Sequence, residues 1–146
     1  MSNYNIGIIA GAFDVLHPGY IKMFKECSSN CKQLFVLLHN NPNNERQNKL
    51  KPILSIDERI EMLNLIKGIH YVLPYNTEDE LHLYLKENDI DVRFLGDDYK
   101  DKRYTGDDLN IPIYWIKRDH EWSTTRYKKL IYESISKHNI QEWNSL

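Results

Sequence analysis

His17 ends the stretch Gly11-Ala12-Phe13-Asp14-Val15-Leu16-His17 and is followed by Pro18-Gly19-Tyr20. An apolar, β-type run from Ile6 to Ala10 precedes this stretch, and a helix-like segment from Ile21 to Lys25 follows it. A strand, a glycine-containing turn and a helix start make a phosphate-binding corner, because free N–H groups and the helix dipole both face an anion there. A histidine at that place can donate a hydrogen bond to a phosphate oxygen, and Gly19 lets the backbone come close. A histidine after a strand is also a common structural residue, and Pro18 fits the ordinary geometry of a helix start. The anion-binding reading rests on Gly11, Asp14, His17 and Gly19 occurring together.

Other groups carry candidate chemistry. Lys49 and Lys51 flank Leu50 on a polar loop, where they are either solvated or a clamp that closes on phosphate. Arg118 precedes Trp122-Ser123-Thr124-Thr125-Arg126, whose hydroxyls make an ordinary N-cap or a second anion site. In Leu95-Gly96-Asp97-Asp98-Tyr99 the carboxylates follow a strand. They begin a turn, accept hydrogen bonds from a base or sugar, or help hold a metal ion. Arg59 and Lys67 are ambiguous, Arg59 having an alternative as partner of an Asp or Glu. The basic loop Lys102-Arg103-Tyr104-Thr105-Gly106 is either solvated or meets an anionic acceptor.

For these groups to meet, several loops must end at one edge of the fold. The pattern predicts strands at Ile6–Ala10, Leu34–Leu38, Tyr71–Pro74, Val92–Leu95 and Ile113–Ile116. Helices are predicted at Tyr20–Cys27, from the Ser55-Ile56-Asp57-Glu58 capping box through Ile66, at Glu78–Glu87 and at Thr124–Ser136. The polar run from Asn40 to Lys51 lacks apolar periodicity and is expected to be a mobile loop. Continuous apolar strands separated by helices predict a parallel sheet covered on both faces. With right-handed crossovers this is a doubly wound, Rossmann-like α/β fold with a mainly parallel five-stranded sheet. Ligands of such sheets bind beyond the carboxyl ends of the strands. No repeat or linker divides the chain, so residues 1–146 are expected to form a single domain. The tail after His138, with Trp143, is expected to dock on the body or on a partner subunit.

The composition, 41% hydrophobic and 27% charged, is that of an ordinary soluble protein. A net charge of -2 leaves no electrostatic footprint for nucleic acid. No apolar run approaches the ~20 residues that span a bilayer, and Met1 to Asn5 lack the regions of a signal peptide. No membrane partner and a cytoplasmic location are therefore expected. Cys27 and Cys31 lack further ligands at zinc spacing and are expected to be half-buried free thiols.

These motifs, in this order, resemble the cytidylyltransferase family of nucleotidyltransferases, especially its short members around glycerol-3-phosphate cytidylyltransferase. Ala12-Phe13-Asp14 and His17 match the first motif, and Glu58-Arg59 the helix after the lysine loop. Gly96-Asp97-Asp98 matches the segment after the fourth strand, and Arg118 with Ser123-Thr124-Thr125 the closing motif. The resemblance implies that CTP and a phosphorylated small alcohol or sugar give a CDP-linked product and pyrophosphate, with Mg²⁺ accompanying CTP. It implies catalytic roles for His17, Lys49, Lys51 and Arg118. Nucleotide binding would fall to Ala12, Phe13, Asp14, Gly19, Tyr20, Asp98, Ser123, Thr124 and Thr125. Lys67 is a further candidate for the acceptor phosphate, and a homodimer is implied.

The chain departs from the family at Tyr20, where a second histidine normally ends the first motif. A phenol donates a hydrogen bond but does not become cationic near neutral pH. Trp122 also stands where the family often has a smaller apolar residue. Two alternatives stay open: adenylyl transfer from ATP, and a nucleotide-binding regulatory protein in which Tyr20 marks lost catalysis.

Overall fold

The computed structural model describes residues 4–138 together with Glu142, Asn144 and Ser145, so the expected docking of Trp143 lies outside the described residues. Strands and helices alternate as β1 (Tyr4–Gly11), α1 (Pro18–Ser29), β2 (Cys31–His39), α2 (Ile56–Asn64) and β3 (Tyr71–Tyr75). They continue as α3 (Glu78–Glu87), β4 (Val92–Gly96), β5 (Ile113–Ile116) and α4 (Thr124–Ser136). The five strands form one sheet in the order β3-β2-β1-β4-β5, and every pair is parallel. The chain runs outward from β1 to β3 and then crosses back to β4. The strand order therefore reverses between β1 and β4, which is where such folds open a ligand crevice.

Alternation along each strand sorts the core into two layers. Ile9, Val36, Leu38, Val92 and Phe94 meet Phe24 and Cys27 of α1 and Leu63 of α2. Ile8 and Leu37 point the other way and pack with Tyr75 and with Leu81 and Leu85 of α3. Helices thus cover both faces, as a doubly wound sheet requires. Cys27 and Cys31 are free but fully buried in the first layer, not half-buried as expected.

Local chemistry sets the helix starts. Ser55 Oγ accepts from the Glu58 amide and the Glu58 carboxylate accepts from the Ser55 amide, a complete capping box that opens α2. The helix ends at Asn64, short of Ile66, and Gly68 then takes φ +97° in the turn toward β3. The Asn40–Lys51 segment is not featureless. Asn41 caps a single 3-10 turn over Pro42–Asn44, and Asn43 Nδ2 donates to the carbonyls of Gln47 at 3.3 Å and Lys49 at 2.7 Å.

Candidate active site

The carboxyl ends of β1 and β4 and the amino ends of α1 and α4 open into a cavity of about 880 Å³. Of the residues singled out in the sequence, Ala12, Phe13, Asp14, His17, Gly19, Tyr20, Lys49, Asp98, Arg118, Ser123, Thr124 and Thr125 line it. Lys51 does not; it is exposed on the loop. Lys67 does not line it either, since it follows α2 and precedes β3, at the opposite edge of the sheet.

His17 is the N-cap of α1, its Nδ1 accepting from the Gly19 amide at 3.1 Å. Because Nδ1 is an acceptor, the neutral ring carries its proton on Nε2. That nitrogen lies 3.5 Å from Thr124 Oγ1 at the start of α4. Burial, with the neighbouring His120 and Arg118 charges, holds the imidazole below its ordinary pKa. At pH 7 His17 is a neutral Nε2–H donor at the cavity wall.

Tyr20 sits beside it. Its ring stacks on the His17 ring at 4.0 Å between centroids, and its hydroxyl lies 2.5 Å from Thr124 Oγ1. Burial raises its pKa, so it remains a phenol. Ser123 Oγ accepts from the Arg126 amide at 3.1 Å and so caps α4. The starts of α1 and α4 therefore converge on one spot. In α1 the Gly19 N–H goes to His17 Nδ1 and the Tyr20 N–H to His17 O, so this end presents its dipole. The Thr124 and Thr125 amides of α4, by contrast, have no intrahelical partner. Two such helix ends facing one cavity make an anion-binding wall. Trp122 closes over this corner: a Cβ on Gly19 would fall 2.7 Å from Trp122 Cβ and 2.8 Å from His120 Cε1.

Asp14, expected at the nucleotide, is engaged within the protein. Its carboxylate accepts from the amides of Ile53 and Leu54 at 2.7 and 2.8 Å and pairs with Lys128 Nζ at 2.7 Å. Burial opposes its ionisation, but Lys128 and the two amides more than offset this and hold its pKa below the ordinary carboxylate value. Asp14 thereby ties the loop after β1 to the entry of α2 and to α4. Lys128 was not singled out in the sequence, although it lies one helical turn beyond Thr124 and lines the cavity.

Arg59 pairs with carbonyl oxygens and not with the Asp or Glu considered for it. Buried to 2% exposure, its Nη1 donates to Ala12 O at 2.9 Å and His39 O at 2.8 Å, and its Nη2 to Asn40 O at 2.5 Å. This pins the loops leaving β1 and β2 to α2. Arg118 also lines the cavity, its Nη1 3.6 Å from Asp98 Oδ2 and its amide directed at Asp97 Oδ1 at 3.4 Å. Arg93, Tyr75, Glu78, Tyr104 and Thr105 also line the cavity. Among them Arg93 carried a readable signal, a charge inside the apolar strand Val92-Arg93-Phe94-Leu95. Among the described residues no group of three or more His, Cys, Asp or Glu side chains is arranged to hold a metal ion. Nor is any helix among them long and apolar enough to cross a membrane.

A parallel Rossmann-like sheet with two helix ends and a histidine at its switch point is a nucleotide-binding architecture. Residues 8–136 match the cytidylyltransferase-like family, and the chain belongs to that family within the nucleotidyltransferase superfamily. It is 30% identical over 105 residues to the bifunctional protein HldE of Hyphomonas neptunium, covering 71% of this chain and 21% of that protein. It is also 30% identical over 91 residues to the FAD synthase of Methanohalophilus mahii, covering 62% of each. The chain thus spans under two thirds of the length of these relatives. The lipopolysaccharide core biosynthesis protein of Thermoplasma volcanium shares the fold with a TM-score of 0.61 at 21% identity, over 77% of this chain and 94% of that one.

Proposed function

We propose that the chain transfers CMP from CTP to a phosphorylated small alcohol or sugar and releases pyrophosphate. The observation that carries this reading is the convergence of the α1 and α4 starts on the neutral His17 donor, with Arg118 also lining the cavity. In the reaction an oxygen of the acceptor phosphate bonds to the α-phosphorus. The bond from that phosphorus to the bridging oxygen breaks, and its electron pair leaves with pyrophosphate. The nucleophile is already anionic, so the protein's task is positioning and charge stabilisation.

His17 Nε2–H and the first amides of α4 meet the charge that develops around the α-phosphorus, while Arg118 and Lys49 offset the rest of the triphosphate. Asp98 would face the nucleoside. Mg²⁺ accompanying the nucleotide would supply charge neutralisation, and the described residues form no cluster of three or more carboxylate, His or Cys groups to hold it by themselves. A homodimeric state belongs to the same reading by likeness to the family, and a cytoplasmic location by the sequence features that led to that expectation. A second reading, adenylyl transfer from ATP, is favoured by the likeness to FAD synthase. Pyrophosphate release with CTP or ATP, screened against phosphorylated alcohols and sugars beginning with glycerol-3-phosphate, tests both. Release with CTP supports the first, release with ATP alone the second, and none with any pair overturns both.

A further inference from the structure

The cavity continues past the His17 corner under the loop that joins β4 to β5. Arg93 stands there on β4, next to Ile8 of β1 and so on the α3 face of the sheet, and is 4% exposed. Its Nη1 donates to the Thr105 carbonyl, and its Nε has no hydrogen-bond partner. The neighbouring charges are paired with one another. Glu78 acts on Arg93 across the cavity wall without pairing with it, because its carboxylate takes Arg46 at 3.4 Å and the Thr105 hydroxyl at 2.7 Å, and Asp107 takes Arg103 at 2.7 Å. Among the described residues Arg93 has no ion-pair partner.

The loop is built around this side chain. The Tyr104 ring lies 5.5 Å from the guanidinium carbon, and Gly106, at φ +90°, comes so near that a Cβ there would sit 3.1 Å from Nη1. A guanidinium does not shed its proton, and a buried charge without a counter-ion is costly. A cavity wall that holds one without an ion-pair partner is suited to an anion from outside.

We propose that Arg93 is the anion anchor of the acceptor subsite and takes the acceptor's phosphate, leaving the His17 corner to the triphosphate. This rests on the nucleotidyl-transfer reading. The guanidinium fork matches two phosphate oxygens and leaves the third for attack on the α-phosphorus. Tyr75, Tyr104 and Glu78 line the same end of the cavity and offer hydrogen bonds to hydroxyl groups. The acceptor is therefore a hydroxylated phosphate ester.

The test compares the wild type with Arg93→Lys and Arg93→Met by calorimetry. Each protein is titrated with CTP (or ATP where CTP does not bind), and then with inorganic phosphate at saturating nucleotide. Nucleotide affinity should stay within about twofold, while phosphate binding to the nucleotide-loaded protein weakens about tenfold or more in Arg93→Met and less in Arg93→Lys. Where turnover is found, the acceptor KM should rise in the same order. An equal loss of nucleotide affinity would place Arg93 on the nucleotide and overturn the proposal. So would unchanged phosphate binding in both variants, or a nucleotide-loaded wild type that binds no phosphate, a result that needs no variant to fold. Phosphate binding that depends on Arg93 in a protein releasing no pyrophosphate would sink the transfer reading and leave the anion site standing.

Discussion

Tyr20 and Thr124 join the starts of α1 and α4: the phenol oxygen lies 2.5 Å from Thr124 Oγ1 while the Tyr20 ring stacks on His17. The residue that replaces the family's second histidine therefore spends its hydroxyl inside the protein. Tyr20→Phe keeps the stack and frees the Thr124 hydroxyl to turn toward His17 Nε2. A neutral hydrogen bond contributes about 0.5–1.5 kcal/mol. Turnover should fall about 2- to 10-fold, with Tm lower by a few degrees. If steady-state rates and thermal unfolding are both unchanged, the hydroxyl has no part in either.

The two ring nitrogens of His17 have separate tasks. Nδ1 caps α1 by accepting from Gly19, and Nε2 faces the cavity and Thr124. His17→Asn retains a good capping acceptor but does not place a donor where Nε2 stands. Turnover should drop about 10²- to 10³-fold, the usual effect of removing one donor that meets charge in the transition state. Nucleotide affinity should change far less. His17→Ala should add about 1 kcal/mol of lost stability from the cap. Equal losses in affinity and turnover for His17→Asn would make the ring a ground-state contact only.

The Asp14–Lys128 pair gives the fold a dependence on pH. The folded-state pKa of Asp14 lies below its ordinary value, so the unfolded chain binds more protons as the carboxylate titrates. This stabilisation is present above about pH 4 and is lost as pH falls through the depressed folded value. His17 and His39 are likewise held below their ordinary pKa, chiefly by burial, so stability also declines below about pH 6.5. Urea midpoints should thus fall in two stages as pH drops from 7 to 3. Asp14→Asn should shrink the lower stage and cost about 1–3 kcal/mol at pH 7, because the half-buried Lys128 ammonium loses its partner and the new amide group can accept from only one of the two loop N–H groups. A midpoint independent of pH over that range would rule out the linkage.

The order of elements was legible because each leaves a local mark. Ser55-x-x-Glu58 announces α2, apolar runs announce the strands, and the His17 corner is contiguous in the chain. What could not be read depends on partners without a side-chain signature. Arg59 lies on the same helical face as Ile56 and Leu63, so its burial was available from spacing, but its partners are main-chain carbonyls. That Lys49 lines the cavity and Lys51 does not goes with the turn that Asn43 builds through the Gln47 and Lys49 carbonyls. Asp14 matched the family motif, yet its binding groups turn out to be two amides and a lysine far along the chain.

Gly19 tests whether Trp122 sets the shape of the corner. The glycine sits in the first turn of α1, where alanine is the better helix former by about 1 kcal/mol. Against this, the added Cβ would lie 2.7 Å from Trp122 Cβ, an atom fixed to the backbone that cannot rotate away. Overpacking of this kind costs about 1–3 kcal/mol, so Gly19→Ala should shift Tm by only a few degrees. The strain should instead appear as displacement of the segment that carries Arg118 and Trp122, and turnover should fall by about tenfold or more. Trp122→Gly removes the colliding atom that is fixed to the backbone and leaves the His120 ring, a side-chain end that can rotate away. In that background Gly19→Ala should cost much less turnover than it does alone, a coupling that double-mutant kinetics can read. Additive losses would mean that Gly19 is needed for close approach of the ligand itself and not for the packing of Trp122.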